Sequence, residues 1–219
     1  MSITSIKLTV IAGLIAATSA NAVSISATNG SVGTFSVSST DLGEIPGTTL
    51  TLDVGTADFG SAVSKLNNGL IYDIDGFGNT NESFTPSNDA VATFHFDLTA
   101  SPIGYDINSI VSLAAFPGRS KQVFDVAYSL VGSPAFTPLA SVLSSLPNNI
   151  EGGEVQVSLT GIGLSGVDEL QFTFHDGTSG DVVYREIDIN SVPEPSTAIL
   201  GVIGFLGVAL RRIRNGRNA

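Results

Sequence analysis

The sequence predicts an all-β fold, a jelly-roll-type β-sandwich flanked by an N-terminal signal peptide and a short C-terminal apolar helix. Apolar and polar residues alternate with period two in many short segments, and clusters of Gly, Asn and Asp separate these segments. No helix-period segment of useful length lies between Val23 and Ser191. We therefore interpret residues 1–22 as a signal peptide, 23–190 as the β-sandwich body and 191–219 as a C-terminal signal.

The segment Ala90–Leu98 shows the alternation most clearly. Phe94 and Phe96 share one face of the predicted strand, and Thr93 and His95 share the other, which places one face in a core and the other in water. The same pattern recurs in Phe124–Leu130, Val155–Leu159 and Leu170–Phe174. Further strands are predicted at Val23–Ala27, Thr34–Ser38, Thr48–Val54, Leu70–Ile74, Tyr105–Leu113 and Val182–Ile189, and Phe136–Leu146 is read as a short helix or a loop.

The N-terminus has the parts of a secretory signal peptide. Lys7 precedes an apolar stretch, and Ala20 and Ala22 have the A-x-A spacing that signal peptidase recognises. The apolar stretch has about half the roughly 20 residues that a membrane span needs, which argues against the alternative of an N-terminal membrane helix. We expect cleavage between Ala22 and Val23, with export of the body.

The predicted body is strongly acidic and lacks cysteine. All 20 acidic residues lie between Asp41 and Glu194, a stretch with four basic residues, so its net charge is −16. This charge argues against nucleic acid as a partner, because phosphate would be repelled. Without cysteine, thiol catalysis, Cys–zinc sites and iron–sulfur clusters are excluded. The acids could attract calcium, which takes oxygen ligands.

Catalytic motifs are sparse, and the sequence predicts a protein that is not an enzyme. The chain has no H-E-x-x-H zinc motif and no G-x-S-x-G nucleophile elbow, and both histidines, His95 and His175, fall on the polar faces of predicted strands. A secreted glycan-cleaving enzyme remains an alternative, since glycosidases need two carboxylates about 5–10 Å apart. The candidate acid pairs are Asp73/Asp75, Asp168/Glu169 and Glu186/Asp188.

The C-terminal segment consists of three parts in order. The acidic motif Val192-Pro193-Glu194-Pro195 precedes an apolar run that ends at Leu210, and four arginines follow between residues 211 and 217. As a helix, the uncharged run from Pro195 would span about 24 Å, at the short end for a bilayer core of about 30 Å. We predict a transmembrane helix at about 196–210, with the arginines in the cytoplasm and the body outside.

This tripartite order resembles the PEP-CTERM sorting signal of Gram-negative bacteria. The resemblance implies a transient inner-membrane anchor, processing near Pro-Glu-Pro by an exosortase-type enzyme, and delivery to the cell surface or to an exopolysaccharide matrix. The alternative is a permanent tail anchor, in which Gly201, Gly204 and Gly207 would pack against another helix.

The body has a second resemblance, which extends over residues 66–189. The segments that carry it are Leu66–Gly69, Gly104–Ile110, Gly118-Arg119, Gln122–Tyr128, Gly166–Phe172 and Tyr184–Ile189. Their order is similar to that of galactose-binding-like (discoidin-like) jelly-roll domains of exported bacterial proteins. Such domains often bind glycans through loop aromatics and often hold a structural calcium ion.

The second resemblance implies two candidate sites. Arg119 would contact a glycan, and Phe116 is the aromatic residue before it, although the absence of Trp departs from the family pattern. Glu186 would bind calcium together with Asp73 or Asp75. The alternative is that the loop of these two aspartates is a solvated, Asx-rich turn that binds no calcium. The predicted function is an exported surface or matrix protein with weak glycan binding; a structural envelope protein without a ligand is the further alternative.

Overall fold

The all-β prediction is confirmed by a computed structural model, which describes residues 22–31, 33–71, 83–177 and 180–191. The two helical segments in these ranges are short 3₁₀ helices, Leu42–Glu44 and Val63–Asn67. The strands are β1 Ser24–Gly30, β2 Thr49–Val54, β3 Ala90–His95, β4 Tyr105–Ala115, β5 Phe124–Leu130, β6 Ser133–Val142, β7 Glu154–Phe174 and β8 Tyr184–Ser191.

Two predicted segments have a different structure. Residues 34–38 alternate like a strand but form none, because the carboxylates of Glu154 and Asp188 accept the backbone N–H groups of Thr34 and Ser38 in place of a neighbouring strand. The segment Phe136–Leu146, read as a helix or loop, largely belongs to β6, which pairs only with β5 among the described strands. Of the predicted strand Leu70–Ile74, residues 72–74 lie outside the described residues.

The strands form one curled sheet whose two halves face each other. One half has the order β2-β3-β7-β5-β6, and the other has the order β1-β7-β4-β8. All pairings between these strands are antiparallel. This arrangement is a jelly-roll-like sandwich, in which the inner faces of both halves bury the apolar side chains.

Strand β7 joins the two halves because it is 21 residues long and bends in the middle. Residues 154–160 pair with β1, whereas residues 167–174 pair with β5. The register with β4 shifts between these parts, from Ser109↔Thr160 to Ile107↔Leu164. Gly161 and Gly163 lie in the shifted part with φ values of 70° and 59°, a conformation that glycine adopts without steric cost.

Aromatic rings fill the core between the halves. Phe94, Phe96, Phe172 and Phe174 are buried, as the alternation predicts. The ring of Tyr184 packs edge-on against Phe174 at a centroid distance of 4.8 Å and so joins β8 to β7. Its hydroxyl donates to the carbonyl of Val123, which satisfies the one polar atom of this buried side chain.

The body has two poles that matter for function. At the first, which we call the terminal pole, lie the turn 101–104, the end of β5 at Leu130, and residues 161–167 of β7. At the second, which we call the loop pole, lie the segments 55–62, 116–122, 143–153 and 175–183. Strand β8 runs from the loop pole towards the terminal pole, since it is antiparallel to β4 and pairs Ser191 with Ile107.

Candidate functional site

Arg119 lies at the loop pole and contacts an aromatic ring that sequence reasoning missed. Its guanidinium carbon is 5.3 Å from the ring centroid of Phe59, a cation–π arrangement, and its Nη1 donates to Asp181 Oδ2 at 3.3 Å. Phe116, the predicted aromatic partner, accepts a backbone hydrogen bond from the Arg119 N–H. The structure therefore brings Arg119 together with Phe59 and Asp181 from two other loops.

Phe59 adopts an unusual conformation for a large apolar residue. It has a φ of 55° and the following Gly60 has a φ of 72°, while Ser61 N–H donates to the Asp58 carbonyl. These are the marks of a type I′ turn, whose first central position favours Asn or Gly. The side chain is also 60% exposed, so neither the backbone nor burial explains a phenylalanine here.

A second cluster lies along β8, where Glu186 meets Asp41 and Glu44. One carboxylate oxygen of each lies within 4.8 Å of the others. Asp41 Oδ1 accepts from the N–H groups of Gly43 and Ile189, and Glu186 Oε2 accepts from Gly69 N–H at 3.0 Å. The remaining oxygens, Asp41 Oδ2 and Glu186 Oε1, are buried and have no hydrogen-bond partner among the described residues.

The electrostatics of this cluster disfavour three negative charges without a cation. Burial, together with the neighbouring carboxylates of Asp188, Asp41 and Glu44, raises the pKa of Glu186 to about 8. Burial likewise raises the pKa of Asp41 to about 7, against the lowering effect of its two backbone hydrogen bonds. Burial also raises the pKa of Glu44. A bound divalent cation would compensate these charges.

The donor set suits a hard cation. All three candidate ligands are carboxylates, which calcium and magnesium prefer, and calcium tolerates the mixed geometry that loop-derived oxygens provide. The two partnerless oxygens are the observation that fits a metal, because a buried carboxylate oxygen otherwise has a hydrogen-bond donor. Glu186, Asp41 and Glu44 would hold the ion, with the 3₁₀ helix at Leu42–Glu44 positioning the last two.

The sequence contains a local signal for Asp41 and Glu44 that went unused. Asp41-Leu-Gly-Glu44 has the spacing of a capping box, and Asp41 does cap the 3₁₀ helix through Gly43 N–H. Nothing in the sequence connects this cap to β8, more than 140 residues later. Asp73 and Asp75, the predicted partners of Glu186, lie outside the described residues, so their proximity to it stays a prediction.

The residues at which processing is predicted lie at or beyond the edges of the described chain. Val23 is partly buried against the core and Ala22 is exposed, immediately before β1. Ala20 and the sorting motif Val192–Pro195 lie outside the described residues, as does the transmembrane helix predicted at about 196–210. Within the described ranges, no helix has the length and apolarity needed to cross a membrane.

Both histidines contact acidic side chains. His95 Nδ1 is 2.7 Å from Glu169 Oε1, and its Nε2 is 3.0 Å from the hydroxyl oxygen of Thr51. His175 lies between two carboxylates, with Nδ1 2.8 Å from Asp89 Oδ1 and Nε2 3.1 Å from Asp125 Oδ2. Both rings lie on the outer face or rim of the sheet, as their polar-face positions predict.

The geometry defines a jelly-roll-like β-sandwich with an aromatic–arginine pair at one pole and a carboxylate cluster along its last strand. Comparison with known families identifies the C-terminal segment, since residues 191–214 match the PEP-CTERM protein-sorting motif. This confirms the resemblance that the sequence shows. No curated protein matches the chain.

Solved structures similar to the body are carbohydrate-binding modules and discoidin-like domains. The CBM32-5 module of CpGH89 from Clostridium perfringens, solved with GalNAc-beta-1,3-galactose, is 12% identical and has a TM-score of 0.45, covering 66% of this chain and 95% of the module. A pectin-binding carbohydrate-binding module is 18% identical with a TM-score of 0.46, at 67% and 91% coverage. An F5/8 type C domain from Bacteroides fragilis is 13% identical with a TM-score of 0.45, at 65% and 90% coverage.

Proposed function

We propose that this chain is an exported, non-enzymatic protein of the cell surface or exopolysaccharide matrix, and that its body binds glycans weakly at Phe59 and Arg119. The observation that supports the glycan site is the exposure of Phe59 at a turn position that disfavours it. A residue held in a sparsely populated backbone conformation costs about 1–3 kcal/mol, and such residues cluster at binding sites.

The chemistry of the site suits a sugar. An exposed aromatic ring offers an apolar face to the C–H groups of a pyranose, and Arg119 holds the Phe59 ring in place from one side. The guanidinium donates hydrogen bonds and the Asp181 carboxylate accepts them, so together they can pair with neighbouring hydroxyl groups. One aromatic ring without a tryptophan fits weak rather than tight binding.

We also propose that calcium binds at Glu186, Asp41 and Glu44 and has a structural role. The ion would tie the 3₁₀ helix at Leu42–Glu44 and the loop around Gly69 to β8. The predicted acid pair Glu186/Asp188 does not flank an open cleft as a glycosidase pair does, because Glu186 is fully buried and Asp188 is 3% exposed. Their position therefore favours the binding protein over the glycan-cleaving alternative.

The glycan site is tested by measuring the binding of the full chain, in detergent, to an array of bacterial exopolysaccharide fragments. We expect millimolar to high-micromolar binding that Phe59→Ser and Arg119→Met each abolish. Leu143→Ser is the matched control, because it removes an exposed apolar side chain, 59% accessible, from the same pole. Equal binding by Phe59→Ser and the wild type would disprove the site.

Sorting is tested by mass spectrometry of the surface fraction of a host that carries an exosortase. We propose a mature species that begins at Val23 and ends near Pro193–Pro195, released by signal peptidase and the exosortase-type enzyme. Replacing Pro193 and Glu194 with alanine should leave the chain in the inner membrane. Recovery of peptides from residues 211–219 in the mature surface protein would contradict the processing.

A further inference from the structure

The terminal pole carries exposed apolar side chains at the same end of the body as Ser191, the last residue of β8. Ile103 is 78% exposed, the highest value among the large apolar residues of the described chain, and Leu130 and Val131 are 39% and 38% exposed. Tyr105 and Leu130 both pair with Val167, so Ile103 and Val131 lie on either side of Gly166. The Val131 N–H donates to the Gly166 carbonyl, and the Ile103 carbonyl approaches the same glycine.

Strand β8, the last strand of the described chain, ends at this pole. Ser191 pairs with Ile107, and β8 advances towards the Tyr105 end of β4. Six residues, 192–197, separate Ser191 from the apolar run that begins at Ala198. Even fully extended, six residues span only about 20 Å. When the tail is anchored, the terminal pole therefore lies within this distance of the bilayer.

We propose that the patch formed by Ile103, Leu130 and Val131 rests on the surface of the bilayer that holds the chain's own tail before processing. This inference rests on the membrane anchoring in the proposed function. The contact orients the body so that the loop pole, with Phe59 and Arg119, points away from the membrane.

The charges around the patch indicate which lipids it fits. Asp97 lies beside Tyr105, whose hydroxyl donates to the Asp97 carbonyl, and Asp168 lies at the start of the part of β7 that pairs with β5. These carboxylates would be repelled by anionic headgroups and attracted by the ammonium groups of zwitterionic headgroups. A neutral phosphatidylethanolamine–phosphatidylcholine surface is therefore the matching partner.

Site-specific fluorescence tests the proposal cleanly, because the chain has no cysteine of its own. Full-length Ile103→Cys, Val131→Cys and Ile150→Cys variants are labelled with an environment-sensitive fluorophore and reconstituted into vesicles of these two lipids. Ile150 is the matched control, since it is 48% exposed and lies at the loop pole. Doxyl-labelled lipids should quench the labels at 103 and 131 several-fold more than the label at 150.

Two further arms separate the possible outcomes. If the chain does not float with the vesicles, both the membrane anchoring and this inference are wrong; if it floats but the three labels are quenched equally, only the inference is wrong. A long Gly/Ser insertion after Ser191 relaxes the tether. Persistent quenching at 103 supports contact with lipid, whereas its loss shows that the short tether alone holds the pole nearby and overturns the contact.

Discussion

Asp41 and Glu186 come from opposite ends of the body, yet their carboxylates are neighbours and each keeps one buried oxygen without a hydrogen-bond partner among the described residues. Each of these buried oxygens is costly as a bare anion and suitable as a metal ligand. The predictions for this cluster therefore concern what happens when an ion or a proton neutralises it.

Calcium should raise the thermal stability of the wild-type chain. Free calcium at a hundred times its dissociation constant adds about 2.7 kcal/mol, which corresponds to about 5–10 °C in the melting temperature of a domain of this size. Glu186→Gln and Asp41→Asn should lose most of this gain in thermal melts with calcium or a chelator. Asp106→Asn is the control, because it removes an exposed carboxylate from β4. Identical melting midpoints of the wild type with and without calcium would refute the site.

With a chelator present, the free energy of unfolding should fall as the pH rises through the range in which Asp41 and Glu186 titrate. The folded-state pKa values of Asp41 and Glu186, about 7 and about 8, exceed the ordinary values of 3.8 and 4.5. The folded state therefore binds more protons than the unfolded state, and the stabilisation present below about pH 4 is lost as pH rises towards about 8. Chemical denaturation across this range measures it.

The Glu186→Gln variant supplies the control for the pH effect. It keeps the acceptor for Gly69 N–H and removes one titrating charge, so its stability should decline less steeply with pH than that of the wild type. Calcium should flatten the wild-type curve, since metal and protons compete for the same oxygens. A wild-type slope equal to the variant's would show that Glu186 titrates normally.

The alternation of apolar and polar residues predicts the strands in the interior of the sheet correctly, but not those at its edges. Phe94, Phe172 and Phe174 are buried as predicted because a period-two pattern survives wherever one face meets a core. Strand β6 was missed because Pro134 and Pro138 lower strand propensity, yet an edge strand tolerates proline. Residues 34–38 show the alternation but form no strand. Buried carboxylates, rather than a neighbouring strand, accept the backbone N–H groups of Thr34 and Ser38.

Both candidate sites form through contacts between segments that lie far apart in the sequence. A local sequence pattern therefore does not predict them. The family resemblance predicts Arg119, but its ring partner Phe59 lies in an earlier loop, where the sequence shows only the turn Asp-Phe-Gly-Ser. The resemblance also predicts Glu186 as a ligand, but it does not predict the neighbouring Asp41 and Glu44. The physical reason is that β8 is covered by residues far upstream, a packing relation that strand periodicity does not encode.

His175 should have a pKa above its ordinary value of 6.5, because its contacts favour the imidazolium. Both ring nitrogens face carboxylates, which only accept hydrogen bonds, so both contacts are satisfied only by the imidazolium. Burial alone would lower the pKa of His175, but Asp125 and Asp89 outweigh it and raise the pKa above 6.5. Its NMR titration, assigned with His95→Gln, should therefore have a midpoint above 6.5.

The contribution of His175 to stability should be small. Its partners Asp89 and Asp125 are more than half exposed, so solvent screening limits the two contacts to about 0.5–1 kcal/mol. This stabilisation is complete below pH 6.5 and is lost as pH rises through the folded-state pKa. His175→Gln should remove that alkaline decline; a midpoint at or below 6.5 would contradict the imidazolium assignment.

Truncation of Phe172 should destabilise the body strongly. Its ring lies at the centre of the aromatic core, with centroids 5.7 Å from Phe94 and 5.8 Å from Phe124. Phe172→Ala leaves a cavity that close-packed neighbours fill only partly, so we expect a loss of about 3–5 kcal/mol in urea denaturation. Leu143→Ala, at an exposed position, should change stability by no more than about 0.5 kcal/mol.

Phe59→Asn should stabilise the body while it removes glycan binding. The substitution places Asn before Gly60, the pair that a type I′ turn favours, and relieves a left-handed conformation that costs a bulky residue about 1–2 kcal/mol. Loss of the cation–π contact with Arg119 costs about 0.5–1 kcal/mol at this exposed site, which offsets part of the gain in stability. Urea denaturation should therefore show a net gain of up to about 1.5 kcal/mol, and the glycan array should show no binding.

If Phe59 has a binding role, the Phe59→Asn variant should gain stability and lose glycan binding at the same time. If Phe59 served only the fold, replacing it with a better turn residue would leave ligand binding unchanged, and if it anchored the loop, the variant would be less stable. Arg119→Met separates the contributions, because it keeps the turn intact and removes the guanidinium from Phe59 and Asp181. A Phe59→Asn variant that is destabilised by about 1 kcal/mol or more would show that the exposed ring stabilises the loop pole through packing, and the interpretation of its turn as functional strain would fail.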